Sequence, residues 1–194
     1  DYIYNNESPT SVLKGGEGHD EIRLRIDRSK NGQHEIHGGS GNDKINAYSN
    51  GKIDISGGDG DDTISAGSPG RSATTNIDAG QGNNSISANS VHSTNINTGE
   101  GNNSVKAIGV STKAEINTGS GNDDITASGI EIAAINTNSG NDIIRASSIK
   151  TATINMGAGD DSVTISNIQK SATVTTGSGS DTIVLTKQQL DDKA

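Results

Sequence analysis

The sequence predicts an all-β fold, a parallel β-solenoid (β-roll or β-helix) of about nine stacked coils with one glycine-rich edge. Three observations carry this. First, a turn of the form Gly-x-Gly-x-Asp-x-Ile recurs nine times, starting at Gly16, Gly39, Gly58, Gly80, Gly99, Gly119, Asn138, Gly157 and Gly177. Successive starts lie 23, 19, 22, 19, 20, 19, 19 and 20 residues apart. Second, small and β-branched residues recur at fixed offsets from each turn. Ile36, Ile55, Ile77, Ile96, Ile116, Ile135 and Ile154 precede it, Ala47, Ala66, Ala88, Ala107, Ala127 and Ala146 follow it, and Val91, Val110, Ile130, Ile149 and Ile168 come later still. Third, the composition suits a thin interior. Leu, Ile, Val and Phe make only 35 of 194 residues, 24 of them Ile, with no Phe and no Trp. So little apolar material often means disorder, but a net charge of −9 is weak for a disordered polyelectrolyte. Ile favours strands.

The elements follow in order. Residues 1–14 read as an N-terminal cap or lead-in, 15–186 as the repeat domain and 187–194 as a polar tail, a short helix or a frayed end. One coil is a strand such as Ala152–Asn155, the glycine turn, a second strand such as Ser162–Ile165, and a return turn. Inward residues alternate with outward ones along each strand. Asn138 is the one replacement at the first turn position that also tolerates the left-handed region. The wider spacings mark insertions near Arg28-Ser29-Lys30-Asn31-Gly32 and Gly67-Ser68-Pro69-Gly70-Arg71, expected to bulge from the return side. Coils stacked at ~4.8 Å make a rod of roughly 40 Å.

Composition excludes several functions. A pI near 4.8 and only three aromatic residues, all Tyr, argue against nucleic-acid binding. No apolar run approaches a membrane span. Without Cys there are no disulfides and no thiolate metal sites.

Gly38–Asn46 and Gly57–Ser65 fit the pattern G-G-x-G-x-D-x-U-x in full, and so does Gly15–Arg23. The chain therefore resembles the RTX (repeats-in-toxin) family of calcium-binding repeats over residues 15 to about 185. The resemblance implies a parallel β-roll whose glycine turns hold Ca²⁺ between neighbouring coils. It also implies secretion from, or display on, a bacterial cell, with calcium outside the cell folding the chain. Elementary chemistry supports the metal. Ca²⁺ takes six to eight oxygens at ~2.3–2.6 Å, more than one short turn supplies. Two stacked turns can supply them through carbonyls near Gly39, Gly41, Gly58, Gly60, Gly119, Gly121, Gly157, Gly159, Gly177 and Gly179, with a carboxylate at the sixth position. Those carboxylates are Asp20, Asp43, Asp62, Asp123, Asp142, Asp161 and Asp181. Unscreened, such a column would repel itself. Asn84 and Asn103 are neutral, so the middle is expected to bind calcium weakly or not at all. Most RTX rolls carry the glycine pattern on both edges; here one edge has it, and a single metal column is expected.

Other constellations are weaker. His34 and His37 should face opposite sides of a strand, with His34 inward. Paired acids such as Asp61-Asp62 and Asp160-Asp161 could imitate a glycosidase pair, but their recurrence at a turn favours ligation. No nucleophile elbow or dinucleotide fingerprint occurs. Arg23, Arg25, Arg28 and Lys30 form a basic cluster, read as a solvated face before a partner surface. The expected function is a non-catalytic, calcium-stabilised module, a structural or adhesive rod or a secretion-linked unit. It would be a monomer or part of a larger chain, with a cell-surface, glycan or protein partner open. Two alternatives stand beside it. One is an ice-binding adhesin module, with Thr98, Thr118, Thr137 and Thr176 as a partial outward row broken by Met156. The other is an accessory domain of a secreted polysaccharide-active enzyme or effector.

Overall fold

Alternation at every second residue forces each strand to show one face inward, and the computed structural model closes these strands into the solenoid. It describes residues 1–5, 10–26, 32–68 and 73–186. The expected bulges at 28–31 and 69–71 and the tail at 187–194 lie outside the described residues.

The strands are β1 (Tyr2–Asn5), β2 (Thr10–Glu17), β3 (Glu21–Arg25), β4 (Gln33–Ser40), β5 (Lys44–Tyr48), β6 (Lys52–Asp59), β7 (Thr63–Gly67) and β8 (Thr74–Gln81). They continue as β9 (Ser85–Asn89), β10 (Ser93–Asn97), β11 (Ser104–Ile108), β12 (Lys113–Asn117), β13 (Asp124–Asn136), β14 (Ile143–Asn155), β15 (Ser162–Thr175) and β16 (Thr182–Thr186). Every pairing is parallel. One face stacks β1, β3, β5, β7, β9 and β11; the other stacks β2, β4, β6, β8, β10 and β12. β13, β14 and β15 run round the return corner and join both faces into one sheet.

The core is a set of vertical columns. Ile36, Ile55, Ile77, Ile96, Ile116, Ile135 and Ile154 are buried in register, and so are the six alanines that follow the turns. Val91, Val110, Ile130 and Ile149 form a third buried column, with Ile168 half-buried at its end. Each coil thus buries a few medium side chains against the layers above and below, which lets so few apolar residues hold a fold together. His34 faces this interior and His37 faces out, as the strand parity requires. His34 Nδ1 lies 3.3 Å from Ser11 Oγ, while its Nε2 is buried with no partner.

The return corner has its own rule. Ser90, Gly109, Gly129, Ser148 and Asn167 occupy it, all with φ between 50° and 67°. In these five coils one left-handed residue turns the chain where the glycine motif is missing. At the last layer Ile183, Val184 and Leu185 of β16 are exposed.

Candidate metal centre

The glycine turns bring successive coils very close. Gly41 has φ 117°, and a β-carbon there would collide with the Gly18 carbonyl of the coil before it. Only glycine meets both demands. Asn138 takes φ 67°, within the range asparagine tolerates.

This stacking builds two hydrogen-bond ladders that run in opposite directions. In the buried one, the backbone N–H of each sixth-position residue donates to Oδ1 of the next coil. Asp20 donates to Asp43, Asp43 to Asp62 and Asp62 to Asn84, each at 2.8 Å. Asn84 donates to Asn103, Asn103 to Asp123, Asp123 to Asp142, Asp142 to Asp161, and Asp161 to Asp181. The exposed ladder uses the fifth position and points back. Asp61 donates to Asn42 at 2.9 Å, Asn83 to Asp61 at 2.7 Å and Asn102 to Asn83 at 2.8 Å. It continues through Asn122, Asn141, Asp160 and Ser180. At its first layer His19 Nδ1 accepts from the Asn42 N–H at 2.7 Å.

All seven expected acids therefore stand in one column. Asp20, Asp43, Asp62, Asp123, Asp142 and Asp161 are buried, and Asp181 is half-buried at the final layer. Their neighbours Asp61 and Asp160 are exposed on the other ladder. Each Asp-Asp pair is thus split between two sides of the turn, which removes the convergence a glycosidase pair needs.

The second carboxylate oxygen decides the chemistry. Oδ2 of Asp20, Asp43, Asp62, Asp123, Asp142 and Asp161 is buried and receives no hydrogen bond. In the first three coils it points at a bare glycine α-carbon. A β-carbon on Gly15, Gly38 or Gly57 would run into Oδ2 of Asp20, Asp43 or Asp62, and into the carbonyl of Gly38, Gly57 or Ala79 in the following coil. Anion and carbonyl oxygens thus line one small space with no donor between them, an arrangement that calls for a cation.

The two asparagine layers confirm this assignment of polarity. Asn84 Nδ2 donates to the carbonyls of Gly80, Gly82 and Thr98 at 3.4, 3.2 and 3.4 Å. Asn103 Nδ2 donates to the Gly101 carbonyl at 2.7 Å. Where the side chain carries N–H groups, the carbonyls are satisfied without help. Where it carries a second oxygen instead, that oxygen is left without a donor.

Burial pushes the carboxyls up. Asp62 rises from 3.8 to about 6, chiefly by burial, against the lowering pull of the Asp43 N–H, with the Asp43 and Asp61 charges adding to the rise. Asp43, Asp123, Asp142 and Asp161 are raised for the same leading reason.

Among the described residues no three His, Cys, Asp or Glu side chains cluster in a way that could hold a metal by themselves. One carboxylate per layer is the reason, so carbonyl oxygens and solvent must complete any shell. The spacing identified Gly39, Gly41, Gly58 and Gly60 as carbonyl sources. It missed Gly38, Gly57 and Ala79, whose carbonyls approach the carboxylates of Asp20, Asp43 and Asp62 in the coil before. The signal was the doubled glycine at 15–16, 38–39 and 57–58. The threonine row also needs correcting. Thr98, Thr118 and Thr137 are buried, facing the interior rather than solvent. Each lies two residues after a buried isoleucine, Ile96, Ile116 or Ile135, so the strand alternation itself turns it inward.

A family profile for the RTX calcium-binding nonapeptide repeat (4 copies) matches residues 35–49 and 54–68. These are RTX repeats. The parallel solenoid is the β-roll that such repeats build, and the matched segments are two of the three with doubled glycine. No curated protein and no solved structure matches the chain. The matched repeats support a calcium-binding structural module.

Proposed function

We propose that the chain is a non-catalytic rod of a secreted or surface-displayed bacterial protein. Its folding is driven by calcium taken up along Asp20, Asp43, Asp62, Asp123, Asp142 and Asp161, with Asp181 at the open end. The observation that carries this is the set of six buried carboxylate oxygens without a donor, set against two asparagine layers that supply their own. The carbonyls near Gly39, Gly41, Gly58, Gly60, Gly119, Gly121, Gly157, Gly159, Gly177 and Gly179 would complete the shells. Calcium would supply the positive charge that this column of carboxylates and carbonyls lacks. The protein's own part is to hold Oδ1 by backbone N–H groups and aim Oδ2 inward.

Because the unfolded chain has no such column, binding adds stability as RT ln(1+[L]/Kd) for each site. At calcium-poor conditions the charged column opposes folding; at calcium-rich conditions it favours it. That coupling suits a chain that leaves a calcium-poor compartment and folds outside. Circular dichroism melts in calcium and in excess chelator test it. The melting temperature should fall steeply with chelator, and an unchanged melt would end the calcium reading.

A further inference from the structure

The two outward faces of the rod differ in charge. On the face of β4, β6 and β8, a shallow groove is lined by Glu35, Asp54 and Asp78. The face of β1, β3, β5, β7 and β9 carries a wide open trough with no acidic residue in its lining. Tyr2, Arg23, Arg25, Lys44, Asn46 and Tyr48 line it. Two of the three tyrosines of the chain thus share one face, both exposed, at 62% and 42%.

Register explains the clustering. Parallel stacking places Arg25 beside Tyr48, Tyr48 beside Gly67 and Gly67 beside Asn89. Gly67 leaves room for the Tyr48 ring to lie across it, since a β-carbon there would come within 3.2 Å of Tyr48 Cδ2. A flat aromatic surface results, flanked by a guanidinium on one side and an amide on the other. Arg23 sits over the Tyr2 ring, 5.8 Å from its centroid. Arg23 and Lys44 share a single carboxylate, Glu21, at 2.6 and 3.5 Å. Arg25 is exposed and has no ion pair among the described residues. In a chain of net charge −9 this face is left positive.

We propose that this trough binds an acidic polysaccharide. Tyr2 and Tyr48 offer flat apolar faces with polar tips, which suit sugar rings. Arg25, with Arg23 and Lys44 beside it, offers the planar forked donors that recognise carboxylate and sulfate. Asn46 and Asn89 offer amide groups to ring hydroxyls. The trough crosses five layers, about 19 Å at ~4.8 Å per layer, long enough for a short stretch of an extended polymer. The shape favours a polysaccharide over nucleic acid, because the remaining surface is acidic and would repel a long phosphate backbone.

The test is affinity electrophoresis of the calcium-loaded full chain, its fold checked by circular dichroism. The gels contain dextran sulfate, polygalacturonate, neutral dextran or single-stranded DNA. Retardation is expected in one or both acidic polysaccharides and not in neutral dextran; which of them retards shows whether sulfate or carboxylate is read. Arg25→Glu and Tyr48→Ser should each weaken it at least tenfold, while Lys170→Glu, an equal charge change on the exposed far end of the rod, should leave it unchanged. All three positions are exposed, so the variants should fold. The proposal fails if the folded chain is not retarded, if Lys170→Glu weakens binding as much as Arg25→Glu, or if DNA is held more tightly than either polysaccharide.

Discussion

Asp62→Asn should stabilise the calcium-free protein and destabilise the calcium-bound one. The substitution retains Oδ1, which accepts the Asp43 N–H at 2.8 Å, and so retains the buried ladder. It replaces the unpaired Oδ2 by an N–H₂ group that can meet carbonyls as Asn84 does. Without calcium, the rise of the Asp62 carboxyl from 3.8 to about 6 measures how far the fold disfavours its charge. At about 1.4 kcal/mol per tenfold, that rise corresponds to about 3 kcal/mol at neutral pH. For a chain of this size each kcal/mol moves the melting temperature by about 2–4 °C, so a rise of about 6–12 °C is an upper bound. It is a bound because solenoid layers melt with only nearest-neighbour coupling. In saturating calcium the sign reverses, since one carboxylate has been removed from the column. The assay is a pair of melts at pH 7.5, in chelator and in calcium, with a count of bound ions by competition against a calcium dye. A variant that melts lower than the parent in chelator, or binds as many ions in calcium, would refute the reasoning.

Three further outcomes follow from the same geometry. Asn103→Asp should do the opposite of Asp62→Asn, adding calcium uptake in the middle of the column and lowering the melting temperature in chelator; an unchanged ion count would place the cation elsewhere. Gly38→Ala drives a β-carbon into the Asp43 carboxylate and the Gly57 carbonyl, and should weaken calcium uptake at least tenfold while leaving the parallel β signature in circular dichroism; equal uptake would show that this cradle is not used. In chelator the protein should be more stable near pH 4.5 than at pH 7.5. The raised carboxyls bind more protons folded than unfolded, so their penalty is absent below the ordinary carboxylate range and grows as pH rises through the raised one. His34 acts the other way, because burial lowers it and stability is lost as pH falls below its ordinary value; five carboxyls outweigh one imidazole, and a melt that falls on acidification would overturn the balance.

Much of the fold is legible in the sequence because a solenoid repeats its backbone. Once Ile45, Ile64 and Ile86 are seen in register, one coil determines the next, and the buried columns can be read by counting. Counting also settles the threonines: Thr98, Thr118 and Thr137 lie two residues after the buried Ile96, Ile116 and Ile135, so the same alternation turns them inward, against the outward row expected of them. The return corner is opaque to counting, since Ser90, Ser148 and Asn167 show no glycine to announce a left-handed residue. The acid column was legible from its spacing. Its polarity was not, because the sequence does not say that Oδ1 is held by the coil before and Oδ2 left bare. The trough was hidden for a different reason. Tyr48 follows Arg25 by 23 positions and Tyr2 precedes its partner Glu21 by 19, so only the stacking of coils of unequal length brings Tyr2, Arg25 and Tyr48 to one face.

The position of the two asparagine layers gives the column an internal logic. Asn84 and Asn103 sit between three acidic layers on one side and four on the other. Adjacent buried carboxylates add to one another's rise by repulsion, as Asp43 does to Asp62 and Asp123 to Asp142. Two neutral layers interrupt that repulsion, while their Oδ1 atoms continue the ladder without a break. Their N–H groups also satisfy the carbonyls there. The middle of the rod can therefore form its hydrogen bonds with no cation. In a structure where each layer is stabilised only by its neighbours, a metal-independent segment is a place for folding to begin. The acidic layers on either side can then close on it as calcium becomes available, each new layer completing the oxygen set of the one before.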